Sequence, residues 1–457
     1  MHLENSIPNP WSIVPFGLLL GAMALAPVLA HGWWSRHYPK VALGLGAITV
    51  VYYLGALHAA AALGHTAHEY LSFVTLVGGL FVVSGGIHIG IKGQGSPLVN
   101  AGFLLAGAVL ANVLGTTGAA MLLIRPWMRL NEARIRAYHI VFFIFIVANA
   151  GGCLTPVGDP PLFLGYLQGV PFWWVAQHCW PMWAVAVGLL LGIFYGLDTF
   201  HHRRARERAG AGGSTPRGSF SGATSNSTSR GEAGAAAHRA ALQGKGAAAP
   251  GQHWRLEGGG NLFFLALMLG AVFVDHPAFL REGLMVAAAA GSWWTTKKSV
   301  HEANGFNFHP LQEVVILFAG IFATMMPALD WLQFHAAEVL GPTPSPGVFF
   351  WGTGLLSSVL DNAPTYLAFY SSLAGVAGGA DPAALWQHHA ASVVGISLGA
   401  VFFGAATYIG NGPNFMVKAM AEQERIPLPS FLEMVWKYSL PCLLPVLVIV
   451  WLLFLRA

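Results

Sequence analysis

The sequence predicts an all-α polytopic membrane protein of two inverted-topology repeats, each with a re-entrant hairpin and a broken helix. Three observations carry this reading: an apolar composition, four long apolar segments interrupted in the middle, and an uneven distribution of Lys and Arg. Of 457 residues, 55% are hydrophobic and 9% charged, with 16 Trp. Soluble domains carry about 25% charged residues. The composition rules out a cytosolic globular protein, a disordered chain and a nucleic-acid binder built on a basic face. The net charge of +4 says little, because 9 of the 23 Lys and Arg lie in residues 198–258. Cys153, Cys179 and Cys442 sit in apolar surroundings and offer no disulfide framework or CxxC metal pair. The first apolar run is long enough to span, and no Lys or Arg precedes it, so no cleavable signal peptide is expected.

A spanning helix needs about 20 apolar residues. Uninterrupted candidates fall at 11–30, 41–57, 70–91 and 172–197, then at 259–275, 278–294, 309–329 and 430–455. Segments 137–170 and 386–421 are apolar but broken by Gly, Pro and Asn. Segments 98–124 and 347–378 are interrupted by Asn112-Val113-Leu114-Gly115-Thr116-Thr117 and by Asp361-Asn362-Ala363-Pro364-Thr365. Lipid cannot satisfy non-helical backbone, so such breaks must line a protein-enclosed cavity. Residues 198–258 hold Arg203-Arg204-Ala205-Arg206-Glu207-Arg208 and then a Gly/Ala/Ser/Thr-rich run. They read as a disordered basic linker between two membrane halves, 1–197 and 259–457.

Charge placement sets the topology, because Lys and Arg gather on the cytoplasmic side. With the N-terminus outside and both 98–124 and 347–378 re-entrant, only Arg281 and Arg456 face outward, leaving 21 of 23 inside. If either hairpin crossed, everything after it would flip and the sorting would fail. The expected protein is thus a multi-pass protein of the inner (plasma) membrane, with both termini external and the linker cytoplasmic. Each half then reads as three helices, a hairpin, a broken helix and a final helix. The first half starts outside and the second inside, the plan of many secondary transporters. Gly152/Gly404, Thr155/Thr407, Gly158/Gly410 and Pro161/Pro413 coincide when the breaks are aligned.

Asp159 lies at the first break and Asp361 at the second hairpin tip. A charge at the bilayer centre costs at least about 3 kcal/mol, so such acids usually serve a pathway. Hard cations favour carboxylate, amide, hydroxyl and carbonyl oxygens. The neighbours that supply them are Asn112, Thr116, Thr117, Asn149, Thr155, Asn362, Thr365, Thr407, Asn411 and Asn414. Together with the two acids they form the candidate cation and proton site, with sodium expected at Asp159, Asp361 and Asn362. The bland alternative is that each Asp is a turn residue or helix cap. Glu313 reads as an interfacial acid, His65, His68 and Glu69 as external loop residues, His139 as an interface histidine and Cys153 as packing.

At Leu360-Asp361-Asn362-Ala363-Pro364-Thr365 and Gly151-Gly152-Cys153-Leu154-Thr155-Pro156-Val157-Gly158-Asp159-Pro160-Pro161 the chain resembles the ion-transporter superfamily. The likeness covers both halves and is greatest to the NhaD-type sodium/proton antiporter branch and to a related group named for citrate transport. It implies an elevator-like transporter, a homodimer in the bilayer. The Ser-Asn-Thr signature of dicarboxylate carriers is replaced by Ala111-Asn112-Val113 and Asp361-Asn362-Ala363. No Lys or Arg falls in a midplane segment, so sodium/proton antiport is the first expectation and a sodium- or proton-coupled citrate or dicarboxylate carrier the second. An enzyme, a nucleic-acid partner and a cofactor beyond transported Na⁺ and H⁺ are not expected. An intramembrane aspartyl protease also uses two membrane Asp, but here Pro327-Ala328-Leu329 falls between them rather than after both.

Overall fold

A computed structural model describes residues 8–92, 95–211, 253–274 and 276–456. Apart from one two-stranded ribbon it is helical. Among the described residues six helices are long and apolar enough to cross a membrane, or seven if a pair bent by 107° near residue 389 counts as one span.

The first half opens with α1 (Val14–Leu29), α2 (His31–Gly55) and α3 (Ala60–Gly85). β1 (His88–Lys92) leads into α4 (Pro97–Leu130). By length α4 could cross a membrane, but Gly115 reverses it, with φ 73° and ψ 155°. That left-handed region suits glycine, which has no Cβ to clash. The ends of α4 meet: the Gly95 N–H donates to the Leu130 carbonyl at 2.8 Å, and Asn100 Nδ2 donates to Asn131 Oδ1 at 2.7 Å. Arms 97–114 and 116–130 therefore form a hairpin that enters and leaves on one side.

The first broken helix is α5 (Ala137–Ile146), an irregular stretch, and α6 (Pro160–Leu167). α7 (Trp174–Ala211) closes the half. The second half has β2 (His253–Glu257), α8 (Asn261–Ala271), α9 (Leu280–Thr295), α10 (Lys298–Ala303) and α11 (His309–Leu340). α12 (Pro346–Ser357) and α13 (Asn362–Val376) make the second hairpin, where the Phe369 ring fills the space beside Gly352. α14 (Ala390–Phe403) and α15 (Gly412–Gln423) flank the second break, and α16 (Phe431–Phe454) ends the fold.

The halves interlock. α2 packs on α11 through Ala42, Gly46 and Gly320, so close that a Cβ on Gly320 would lie 2.7 Å from the Ala42 carbonyl. α3 packs on α9, where the buried Ser72 hydroxyl donates to the Glu282 carboxylate. The hairpins and breaks form the interior: Ile140, Phe142, Phe143, Ile144 and Phe145 of α5 are wholly buried.

Several boundaries differ from the sequence reading. The helix expected over 70–91 stops at Gly85, because residues 88–92 pair antiparallel with 253–257. Asn304 Nδ2 holds the intervening turn, donating to the Gly85 and Ile87 carbonyls at 2.9 and 2.7 Å. The linker is shorter than 198–258. α7 runs to Ala211, with Asp198 buried inside the protein, and β2 occupies 253–257. Linker residues 212–252 lie outside the described residues. His65, His68 and Glu69 stand on the first turns of α3 rather than in a loop, with Gln168 Nε2 donating to Glu69 at 2.8 Å. Glu313 stands near the start of α11.

Candidate functional site at the meeting of two hairpins and two breaks

Each break is shaped by the same short grammar. Thr155 Oγ1 donates to the Asn112 carbonyl at 2.6 Å and accepts from the Gly158 N–H at 3.0 Å. Thr407 Oγ1 donates to the Ser358 carbonyl at 2.7 Å and accepts from the Gly410 N–H at 3.1 Å. In each half, then, a threonine ties the break to a hairpin tip. Gly158 lies on the Gly152 carbonyl, leaving no room for a Cβ, and a Cβ on Gly410 would lie 2.7 Å from the Gly404 carbonyl. The positions that coincide in sequence thus do the same work in space.

Asp159 is the residue on which the parts converge, and it is 1% exposed. It occupies the cap position of α6, yet its side chain does not cap that helix. Thr116 Oγ1 donates to its Oδ1 at 2.7 Å, Asn411 Nδ2 to the same oxygen at 3.2 Å, and Asn362 Nδ2 to its Oδ2 at 2.6 Å. These partners come from the first hairpin, the second break and the second hairpin. Each stands at a helix start: Thr116 opens the second arm of α4, Asn362 opens α13, and Asn411 caps α15. Buried charges persist when hydrogen-bonded in this way.

A second layer orients the first. Asn411 Nδ2 also reaches Asn149 Oδ1 at 3.1 Å, and Asn149 Nδ2 donates to Asn414 Oδ1 at 2.6 Å. Asn414 Nδ2 ties the Gly404 and Thr407 carbonyls at 2.7 and 2.8 Å. Asn112 clamps the other break, donating to the Gly151 carbonyl at 2.7 Å and accepting from the Leu154 N–H at 2.8 Å. In this hydrogen-bonded network Asp159 is the one ionisable side chain among the described residues.

Not every candidate reaches the centre. Asp361 fits the bland reading: its Oδ1 accepts from the Ala363 N–H at 3.1 Å and caps α13. Thr365 Oγ1 donates to the Asp361 carbonyl at 2.9 Å. Thr117 is half-buried and lines a cavity with Thr116, Gly118, Leu80 and Phe163. The Asn362 Oδ1, buried, has no hydrogen-bond partner among the described residues.

Sequence reading missed the buried ionic centre at Asp198. Asp198 accepts from Arg134 Nη1 and Nη2 at 2.5 and 2.8 Å, from the Tyr138 hydroxyl at 2.8 Å and from Asn100 Nδ2 at 2.9 Å. It pins the base of the first hairpin to α5 and α7. His139, wholly buried, places its Nε2 3.4 Å from the same carboxylate. Asp198 follows an apolar run and precedes a basic one, so in sequence it reads as linker; nothing local marks its partners.

No curated protein matches this sequence. The profile of the family described as "Putative citrate transport" matches residues 5–455, and the chain, an integral membrane protein with six or seven helices long and apolar enough to cross a membrane among the described residues, belongs to that family of transporters.

Proposed function

We propose that the protein is a secondary transporter that carries a citrate-type carboxylate with a coupling cation or proton, and that Asp159 holds the coupling charge. One observation carries the reading: helix starts at Thr116, Asp159, Asn362 and Asn411 meet through one buried carboxylate. Each helix N-terminus presents roughly half a positive charge. Four such ends supply about two positive charges, which Asp159 and the Asp361 carboxylate capping α13 offset, so that a cation or proton bound at Asp159 leaves the centre net positive although no Lys or Arg joins the network. An anionic substrate is then attracted without a basic side chain. The family description favours the same substrate class.

The matched threonine and glycine contacts of the two breaks support an inverted repeat, with the site on its pseudo-twofold axis. Midplane sites between such repeats suit alternating access. In this reading both termini are external, the linker is cytoplasmic and the protein works as a homodimer in the plasma membrane.

A second reading, sodium/proton antiport, is favoured by a separate observation. Asn362 Oδ1 is a buried oxygen without a donor among the described residues, beside the Asp159 carboxylate. Such a pair of oxygens suits a hard cation, which would compete with a proton.

The two readings part in proteoliposomes loaded with a pH indicator. Under the first, labelled citrate accumulates when a sodium or proton gradient is imposed, and Asp159→Asn abolishes accumulation. Proton release on adding Na⁺ alone, with no citrate uptake, would reject the first reading and leave antiport.

A further inference from the structure

The second arm of the first hairpin carries a seam that the site above does not use. Ser84, near the end of α3, is wholly buried, and its Oγ has no hydrogen-bond partner among the described residues. It lies against Gly118, where a Cβ would sit 2.5 Å from that oxygen. Gly118 and Thr117 line the cavity that α3 closes with Val77 and Leu80. Seven residues further along the arm stands Arg125. Two helical turns return to nearly the same face, so Arg125 and Gly118 look toward the same neighbours.

Arg125 is unlike its basic neighbours. Arg129 is exposed, and Arg134 is paired with Asp198. Arg125 is half-buried, its Nε has no hydrogen-bond partner among the described residues, and Glu424, the carboxylate whose charge reaches it, lies beyond ion-pair distance. Its guanidinium lies against Gly305, a residue at φ +53° with no room for a side chain. The next residue, Phe306, covers Gly85 beside Ser84. Two orphaned polar groups thus line one seam between the hairpin and α3, with a cavity at its inner end. Orphaned buried groups are rare and need a reason.

We infer that this seam is the path by which a carboxylate substrate moves between the midplane site and the side on which the first hairpin opens. Arg125 receives carboxylate oxygens at the mouth, as a guanidinium does in bidentate geometry. The Ser84 hydroxyl donates to them further in. The assignment rests on the carboxylate reading and adds a side-specific binding residue to it.

Citrate is the probe, in right-side-out and everted vesicles holding the full chain. Arg125→Gln should raise KM about tenfold from the hairpin-base side, which the charge pattern assigns to the cytoplasm, and change it less than about twofold from the other. Arg125→Lys, which keeps the charge but loses the fork, should fall between, and it remains informative if the Gln variant does not fold. Ser84→Ala should raise KM on the same side only. Equal KM changes on both sides, or none on either, would overturn the seam while native uptake still stands. Absence of citrate uptake by the native protein would overturn the seam and the carboxylate reading together.

Discussion

Asn362 donates to Asp159 Oδ2 at 2.6 Å, although 203 residues separate them. This bond joins the second hairpin to the first break and puts a neutral amide where the sequence suggested a second acid. Asp361, one residue earlier, turns instead to its own helix. The two acids therefore have different surroundings, and their variants should behave differently.

Asp159→Asn should fold, because Asn362 can rotate its unpartnered oxygen toward the new amide. Coupled transport should fall about 100-fold or more, the size expected when a charge-assisted contact to an ion is lost. Asp159→Glu should keep some activity with a shifted pH profile. Near-native accumulation by the Asn variant would remove Asp159 from coupling.

Asp361→Asn should transport at close to the native rate, since Asn caps a helix as well as Asp. Asp361→Ala should cost about 1 kcal/mol of stability, measurable as a lower unfolding temperature in detergent. An inactive but stable Asn variant would show that Asp361 takes part in coupling after all.

Asp198→Ala should destabilise the protein by about 3 kcal/mol, toward the low end for breaking a buried pair because Arg134 is one-fifth exposed. Adding Arg134→Ala should cost less than the two single losses combined. Additive losses in thermal unfolding would mean the two residues act independently.

Cysteines placed at Ala60 and Gly341 should react with an impermeant external reagent, whereas one at Ser299 should not. These positions begin α3, follow α11 and lie in α10. External labelling of Ser299 would invert the second half and break the two-hairpin topology.

Replacing residues 212–250 by a Gly/Ser chain of equal length should leave transport intact. Extending the replacement through 257 should weaken it, because β2 pairs with β1 directly before the first hairpin. Loss of uptake in the shorter replacement would assign a role to the linker itself.

Much of the architecture was legible because membrane insertion is a one-dimensional constraint. Runs of apolar residues, and the side on which Lys and Arg collect, are written along the chain. Gly115 and the paired glycines of the breaks were also legible as interruptions, because lipid does not tolerate unsatisfied backbone. The β1–β2 ribbon was not, since each strand is five residues long and finds its partner some 160 residues away.

By itself, then, the sequence determined a helical membrane protein with four interrupted segments, and it marked Asp159, Asn362 and Asn411 as polar groups with no reason to be in lipid. Only the tertiary structure decided which of them meet. A hydrogen bond depends on ångströms and angles between distant segments, whereas hydropathy depends on composition alone. For the same reason only the packed structure could separate Asp159, held by three helix starts, from Asp361, which caps its own, and could show Arg125 as a half-buried cation without an ion-pair partner among the described residues.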